Sequence, residues 1–283
     1  MNTHLFLDSG DPAHTRTLLA KDVLLAGQTT NPSLVAKHPT VVQRIEQGNL
    51  FSTEEIYALY KEIVQDISSL VNDSVSIEVY ADMDTSVEEM VSEGREMNTW
   101  IHNAHIKLPT IPNGLAAAAQ LVKEGIRVNM TLCFTQAQAA AVYSATQGAK
   151  PGQVLLSPFI GRFDDIGSNG LDCVRNIQRM FNEQGDGHVQ VLAASLRTRE
   201  HLLACYQAGV DIITAPFPLL EAWADAGFPM PDNNFLYQSD LKPIPYESHD
   251  LTAPWETFDV SHRLVSEGVK KFVADWKSLL SDT

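Results

Sequence analysis

The stretch His105-Ile106-Lys107-Leu108-Pro109-Thr110 sets a lysine between apolar neighbours at the end of a strand-like run, and a helical pattern from Gly114 to Glu124 follows at once. Lysine is among the residues least often buried, because removing water from an ammonium is costly. An apolar setting disfavours the charged form of an amine, and a neutral amine can attack a carbonyl and form a Schiff base. A lysine that caps a strand at the surface is the ordinary alternative for one such stretch. The rest of the chain decides between the two readings, since the strand-then-helix unit recurs with polar residues at equivalent ends.

Outward from that stretch, the next strands read as Val128-Asn129-Met130-Thr131-Leu132, Val154-Leu155-Leu156-Ser157, Val189 to Ser195 and Ile212-Ile213-Thr214. On the N-terminal side they read as Leu5-Phe6-Leu7-Asp8, Val23-Leu24-Leu25-Ala26 and Val75-Ser76-Ile77-Glu78-Val79. Capping boxes at Ser52/Glu55 and Thr135/Gln138 open two of the intervening helices, and a third helix is expected from about Ser86. Behind Ser52, the residues Ile56, Leu59, Tyr60, Ile63, Ile67 and Leu70 recur at helical spacing. Eight short strands, nearly all followed by a helix, predict parallel pairing through helical crossovers and closure into one (β/α)8 TIM barrel, an α/β fold. An open doubly wound sheet would carry a Gly-rich fingerprint after the first strand, and none is present.

The chain is expected to form a single barrel domain over residues 1–283, with 228–283 as a C-terminal extension of loop plus helix. Phe228 to Glu256 holds five prolines and little periodicity, so it reads as a long surface loop, expected over the active-site face or at a subunit contact. From Phe258 an amphipathic helix carries Leu264, Phe272, Val273, Trp276 and Leu280.

A formal charge of −15 argues against sequence-independent nucleic-acid binding, and it requires local cations to hold any anionic substrate. No signal peptide and no membrane-length apolar run is visible, so no membrane association is expected. Cys133, Cys173 and Cys205 are unpaired in number and widely spaced, as suits free thiols in a reducing cytoplasm. His102 and His105 lack a third ligand at a matching strand end, so no metal is expected, and Cys133 between Leu132 and Phe134 reads as an inert buried thiol.

In an eight-stranded barrel the chemistry sits where the strands end. Those ends carry Asp8, Asn31, Glu78, Lys107, Asn129, Thr131, Ser157 and Ser195, with Arg162 and Arg197 in the loops just beyond. Each has a plain alternative taken singly. Asp8 suits a helix N-cap, Asn31 before Pro32 suits a turn, Glu78 suits a solvated strand end, and Arg162 suits an ion pair with Asp164 or Asp165. Their convergence on one end of eight strands is the argument for a site.

These residues sit in motifs that resemble the transaldolase family, and more closely its short-chain group related to fructose-6-phosphate aldolase. The motifs are Leu5 to Asp8, Gly27-Gln28-Thr29-Thr30-Asn31-Pro32-Ser33-Leu34, Glu78-Val79, Ile106-Lys107-Leu108-Pro109, Asn129-Met130-Thr131-Leu132, Ser157 to Asp165 and Val191 to Arg197. The resemblance runs from about residue 4 to 220, with the region from about Phe51 to Val71 and everything past Trp223 outside the short-chain pattern. It implies Lys107 as the Schiff-base residue, Asp8 as general acid–base, and Glu78 with Thr131 working through a water. It implies Asn31, Asn129 and Ser157 as sugar contacts, and Arg162, Ser195 and Arg197 as phosphate contacts. Aldolase relatives commonly carry glutamine at the position of Glu78 and tyrosine at the position of Phe159, so this chain has the transferase pair. The implied activity is transfer of a dihydroxyacetone unit between sugar phosphates in the pentose phosphate pathway, without a cofactor, by a cytoplasmic homo-oligomer. Fructose-6-phosphate cleavage at the same site, and a catalytically silent sugar-phosphate-binding barrel, are the alternatives.

Overall fold

A computed structural model describes residues 3–232 and 234–281, so the ends of the 1–283 span and Asn233 in the long loop lie outside it. The chain runs β1 (His4–Asp8), α1 (Pro12–Ala20), β2 (Gly27–Thr29), α2 (Pro32–Val35), α3 (Pro39–Glu46), α4 (Thr53–Ser68), β3 (Ser74–Glu78) and α5 (Val87–Asn98). It continues with β4 (Ala104–Pro109), α6 (Pro112–Lys123), β5 (Val128–Cys133), α7 (Gln136–Ala145), β6 (Val154–Pro158), α8 (Ile160–Asp164) and α9 (Gly170–Gln184). Last come β7 (Val189–Ala193), α10 (Arg199–Ala208), β8 (Ile212–Pro216), α11 (Phe217–Asp225) and α12 (Arg263–Lys277). The eight strands pair in sequence order, and β8 pairs with β1, so the sheet is a closed parallel barrel.

Alternation along each strand divides the core into two parts. Outward residues such as Leu7, Ile77, Ile106 and Met130 pack under the helices in one large apolar cluster. Inward, Phe6, Leu155, Leu192 and Ile212 form a small apolar plug inside the barrel. Phe6 is fully buried there, which contributes roughly 1.5–3 kcal/mol. The register then sets Glu78 beside Lys107 and Lys107 beside Asn129, one row across β3, β4 and β5.

Three helices begin with complete capping boxes, at Ser52/Glu55, Ser86/Glu89 and Thr135/Gln138. Each satisfies two otherwise unpaired N–H groups at the helix start.

The second strand differs from the reading of the sequence. It is Gly27–Thr29, whereas Val23 to Ala26 is irregular chain in which Leu24 is 89% exposed. Apolarity misled because β2 is made of small and polar residues with fixed partners. A Cβ on Gly27 would stand 2.5 Å from the Ser74 carbonyl oxygen and 2.8 Å from the Phe6 ring. The buried Gln28 amide donates to the Ser9 carbonyl (2.7 Å) and accepts from the Thr15 hydroxyl (2.6 Å).

Of the two places expected for the long loop, it does not take the active-site face: it straps the outer helices and leaves the barrel mouth to another element. The Lys242 carbonyl accepts from Asn169 N–H (2.8 Å), Gln136 donates to the Pro245 carbonyl (2.8 Å), and Ser144 donates to the Ala253 carbonyl (2.6 Å). The final helix starts at Arg263, after a 3-10 turn at Trp255–Thr257, and it is this helix that lies over the mouth. A Cβ on Gly268 would meet Leu132 at 2.6 Å, so the glycine permits the close approach of α12 to β5.

Candidate active site

Lys107 is 4% exposed, and its Nζ stands 2.9 Å from Glu78 Oε2 and donates to the Thr30 carbonyl at 3.2 Å. The lysine is therefore buried, as its neighbours predicted, but its charge is answered by a carboxylate one strand away. Loss of water pushes the Glu78 carboxyl above its ordinary range, and the Lys107 charge works against that rise. Oε2 has no hydrogen-bond partner beyond the ion-pair contact, and the buried Thr131 hydroxyl has none at all.

Asp8 ends β1 at the same mouth. Its Oδ1 accepts from the Thr29 hydroxyl at 2.6 Å, and that hydroxyl lies 2.7 Å from Thr214. Burial raises the Asp8 pKa, while the nearby Lys107 charge lowers it. The N-cap of α1 is Asp11, so Asp8 is left to the cavity. Asn31 is the N-cap of α2, where a turn was the plain alternative: its side chain accepts Leu34 N–H (2.9 Å), and it also lines the cavity.

Asn129 lies beneath the cavity wall in a chain of hydrogen bonds. Its amide donates to the Ser76 hydroxyl (3.0 Å), and its carbonyl oxygen accepts from the Ser157 hydroxyl (2.7 Å). Ser157 and Phe159 line the cavity, with Lys107, Thr131, Arg162, Ser195 and Arg197. The structure thus brings every strand-end residue singled out in the sequence to one place, with Glu78 and Asn129 one layer below the wall.

The arginine side of the cavity is built by α8 and the β7–α10 loop. Arg162 sits on α8 with its guanidinium 5.8 Å from the centre of the Phe159 ring. Burial, and after it the like charge of Arg197, depresses the Arg162 pKa, as two cations facing one space require. Arg197 pairs with Asp165 at 2.9 Å, so the ion pair considered for Arg162 belongs to its neighbour. Ser195, on the cavity wall, holds φ near +60°, which is uncommon for a side-chain-bearing residue; Leu132, Asp22 and Phe228 share it outside the lining.

Several contributors were not singled out as site residues. Tyr60, on the α4 insertion, accepts from Glu78 N–H (3.0 Å) and pairs with the Thr30 hydroxyl (2.6 Å). It thereby holds both segments that contact Lys107. From α12, Lys271 and Phe272 reach the cavity, with the Phe272 ring centre 5.8 Å from Lys107 Nζ. Ser33 donates to Asp275, which also pairs with Lys271 at 2.9 Å. Phe272 was visible in the sequence only as part of an apolar helix face.

His102 and His105 do not form a metal cluster, and among the described residues no group of three or more His, Cys, Asp or Glu is placed to hold an ion. His105 is buried between Ser74 (2.7 Å) and the Gly152 carbonyl (3.1 Å), and Cys133 is buried with its thiol pushed up to about 12. No helix among the described residues is long and apolar enough to cross a membrane.

Fold and site define a (β/α)8 barrel of the kind that gathers a buried lysine, acidic groups and arginines at the C-terminal ends of its strands. The chain belongs to the transaldolase/fructose-6-phosphate aldolase family, whose model matches residues 5–283. A probable transaldolase of Roseiflexus sp. (strain RS-1) is 33% identical over 274 residues, covering 97% of each chain. A probable transaldolase of Caldicellulosiruptor saccharolyticus is 37% identical over 198 residues, 70% of this chain and 79% of the relative. Among solved structures, the tryptophan synthase A-subunit of Pyrococcus furiosus matches at 16% identity with a TM-score of 0.45, covering 98% of this chain and 97% of that one.

Proposed function

We propose that this protein is a transaldolase that moves a dihydroxyacetone unit from fructose 6-phosphate or sedoheptulose 7-phosphate to an aldose phosphate. The observation that carries the reading is the buried Lys107–Glu78 pair at 2.9 Å under a cavity lined by Asp8 and two arginines. Glu78 takes a proton from the Lys107 ammonium, leaving an amine that attacks the ketose carbonyl. Glu78 and the unpartnered Thr131 hydroxyl handle the water lost when the carbinolamine becomes an iminium. Asp8 then accepts the proton of the hydroxyl on the fourth carbon. The bond between the third and fourth carbons breaks, and its electron pair moves into the iminium to give an enamine. The aldose phosphate departs, and an incoming aldehyde reverses the steps.

Asn31, Asn129 and Ser157 fix the hydroxyls of the three-carbon unit, and Arg162, Ser195 and Arg197 hold the phosphate. Phe159 favours transfer over release, since a ring without a hydroxyl holds no water beside the enamine. Phe159→Tyr is expected to increase release of free dihydroxyacetone. The proposal takes residues 1–283 as one domain working in the cytoplasm as a homo-oligomer, and the lysine chemistry calls for no cofactor. In support of the single domain, Leu264, Phe272 and Trp276 of α12 share the barrel's main apolar cluster.

The test is to incubate the enzyme with fructose 6-phosphate, with and without erythrose 4-phosphate, and to follow dihydroxyacetone. Transfer predicts a new ketose phosphate with acceptor and little free dihydroxyacetone without it. Fast release undiminished by acceptor identifies an aldolase, and binding without exchange identifies a silent sugar-phosphate-binding barrel.

A further inference from the structure

Two separate segments supply the arginines of the cavity rim, α8 for Arg162 and the β7–α10 loop for Arg197, and a third side chain lies between them. His201, in the first turn of α10, has a side chain only 6% exposed. Its Nδ1 accepts the backbone N–H of Arg197 at 3.3 Å, and its Nε2 lies 3.1 Å from Asp164 Oδ2 at the end of α8. With Nδ1 accepting, the proton of the neutral ring sits on Nε2 and points at Asp164. Asp164 is fixed in turn, since its Oδ1 accepts Gly170 N–H at 3.1 Å, and the Tyr237 ring packs 5.8 Å from the imidazole.

We infer that His201 is the positioning residue of the anion rim, joining the backbone of Arg197 to the helix that carries Arg162 so that both guanidinium groups address one phosphate. The inference rests on the proposed phosphate role of these arginines. The direct Arg197–Asp165 pair is more than half exposed on both sides, and such pairs are weak and screened by salt. The imidazole bridge is sheltered from water and spans the same gap. The spacing is tight: Gly161 N–H donates to the Ser195 carbonyl at 2.9 Å, and a Cβ on Gly161 would lie 2.5 Å from Arg197 Nε. A small displacement of the Arg197 backbone therefore moves its side chain across α8, and the phosphate contact loosens while Lys107 is undisturbed. His201 touches no substrate, so its effect must appear as discrimination between phosphorylated and unphosphorylated substrates.

The experiment compares erythrose 4-phosphate with erythrose as acceptors at saturating donor, for the wild type, His201→Phe, His201→Asn and Arg197→Ala. His201→Phe keeps the ring volume and removes both nitrogens. It is expected to raise KM for erythrose 4-phosphate roughly three- to tenfold, the effect of one buried hydrogen bond, with KM for erythrose and kcat unchanged. His201→Asn, whose Oδ1 replaces Nδ1 as acceptor but whose shorter side chain does not reach Asp164, keeps half of the bridge and is expected to recover only part of that loss. Should His201→Phe not fold, His201→Gln reads the other half of the bridge: its amide reaches Asp164 but leaves Arg197 N–H unanswered, so KM for erythrose 4-phosphate should still rise while KM for erythrose does not. Equal losses on both acceptors, or no loss where Arg197→Ala shows a phosphate-specific one, would overturn the role of His201 and leave the rim intact. Absence of a phosphate-specific loss in Arg197→Ala would overturn the reading of the rim itself.

Discussion

His105 and Lys107 stand two residues apart on β4 and face the same barrel interior, one toward the floor and one toward the mouth, yet their surroundings are opposite in kind. At the floor, Ser74 satisfies one imidazole nitrogen and the Gly152 carbonyl the other. At the mouth, Lys107 meets a carboxylate oxygen whose one partner is the lysine itself and, one strand further, a buried hydroxyl that has no partner. Buried polar groups are nearly always paired, so the floor is the ordinary case and the mouth is the exception. The difference separates polar residues whose hydrogen bonds are completed within the fold from those that leave hydrogen-bonding capacity at the cavity. Burial alone does not separate them, because both side chains are almost fully covered.

The largest effect that could break this comparison is at Glu78. Glu78→Gln preserves the shape of the side chain and removes the proton acceptor beside Lys107. A loss of roughly 10²–10⁴ in kcat is expected, with the circular dichroism spectrum unchanged. A near-normal kcat would remove Glu78 from the chemistry. Next come the arginines. Arg162→Ala or Arg197→Ala should raise KM for phosphorylated substrates roughly ten- to a hundredfold and spare unphosphorylated aldehydes. Equal losses with and without the phosphate would make them structural.

At the floor the expectation reverses. His105→Leu leaves the Ser74 hydroxyl and the Gly152 carbonyl unanswered, so denaturant titration should show a stability loss of about 1–3 kcal/mol. The kcat per folded molecule should stay unchanged, and a fall in it would break the contrast between floor and mouth. The same histidine also sets a pH slope. Burial, and after it the charge of Arg127, lowers the His105 pKa to about 3, against an ordinary value of 6.5. The unfolded chain binds this proton first, so the contribution is complete above pH 6.5 and is lost as pH falls toward 3. The slope reaches at most about 1.4 kcal/mol per pH unit from one proton. His105→Leu should flatten that slope. Asp8 and Glu78 act with the opposite sign, since their raised pKa values favour folding at low pH and that contribution is lost as pH rises.

The barrel was legible because most of its strands are apolar, β-branched runs separated by capped helices, and each capping box named from the sequence is present. The second strand was not, because what makes Gly27–Thr29 a strand is the absent Cβ of Gly27 under Phe6 and the partners of Gln28, neither of which leaves an apolar signature. The gathering of polar residues at one mouth was legible wherever they end strands, since a parallel barrel must bring those ends together. Tyr60, Phe272 and His201 were hidden for a common reason. Each lies on a helix, and only packing of α4, α12 or α10 against the mouth or rim brings it near the site. Periodicity marks such residues as belonging to a helix face without saying what that face covers.

The central claim is that Lys107 forms the Schiff base, and borohydride trapping tests it most directly. Wild-type protein incubated with fructose 6-phosphate and reduced should carry a stable three-carbon adduct, and peptide mapping should place it on Lys107. Lys107→Met should carry none and have no turnover, while keeping its fold. An adduct on Lys123 or Lys150, or turnover surviving in Lys107→Met, would contradict the account.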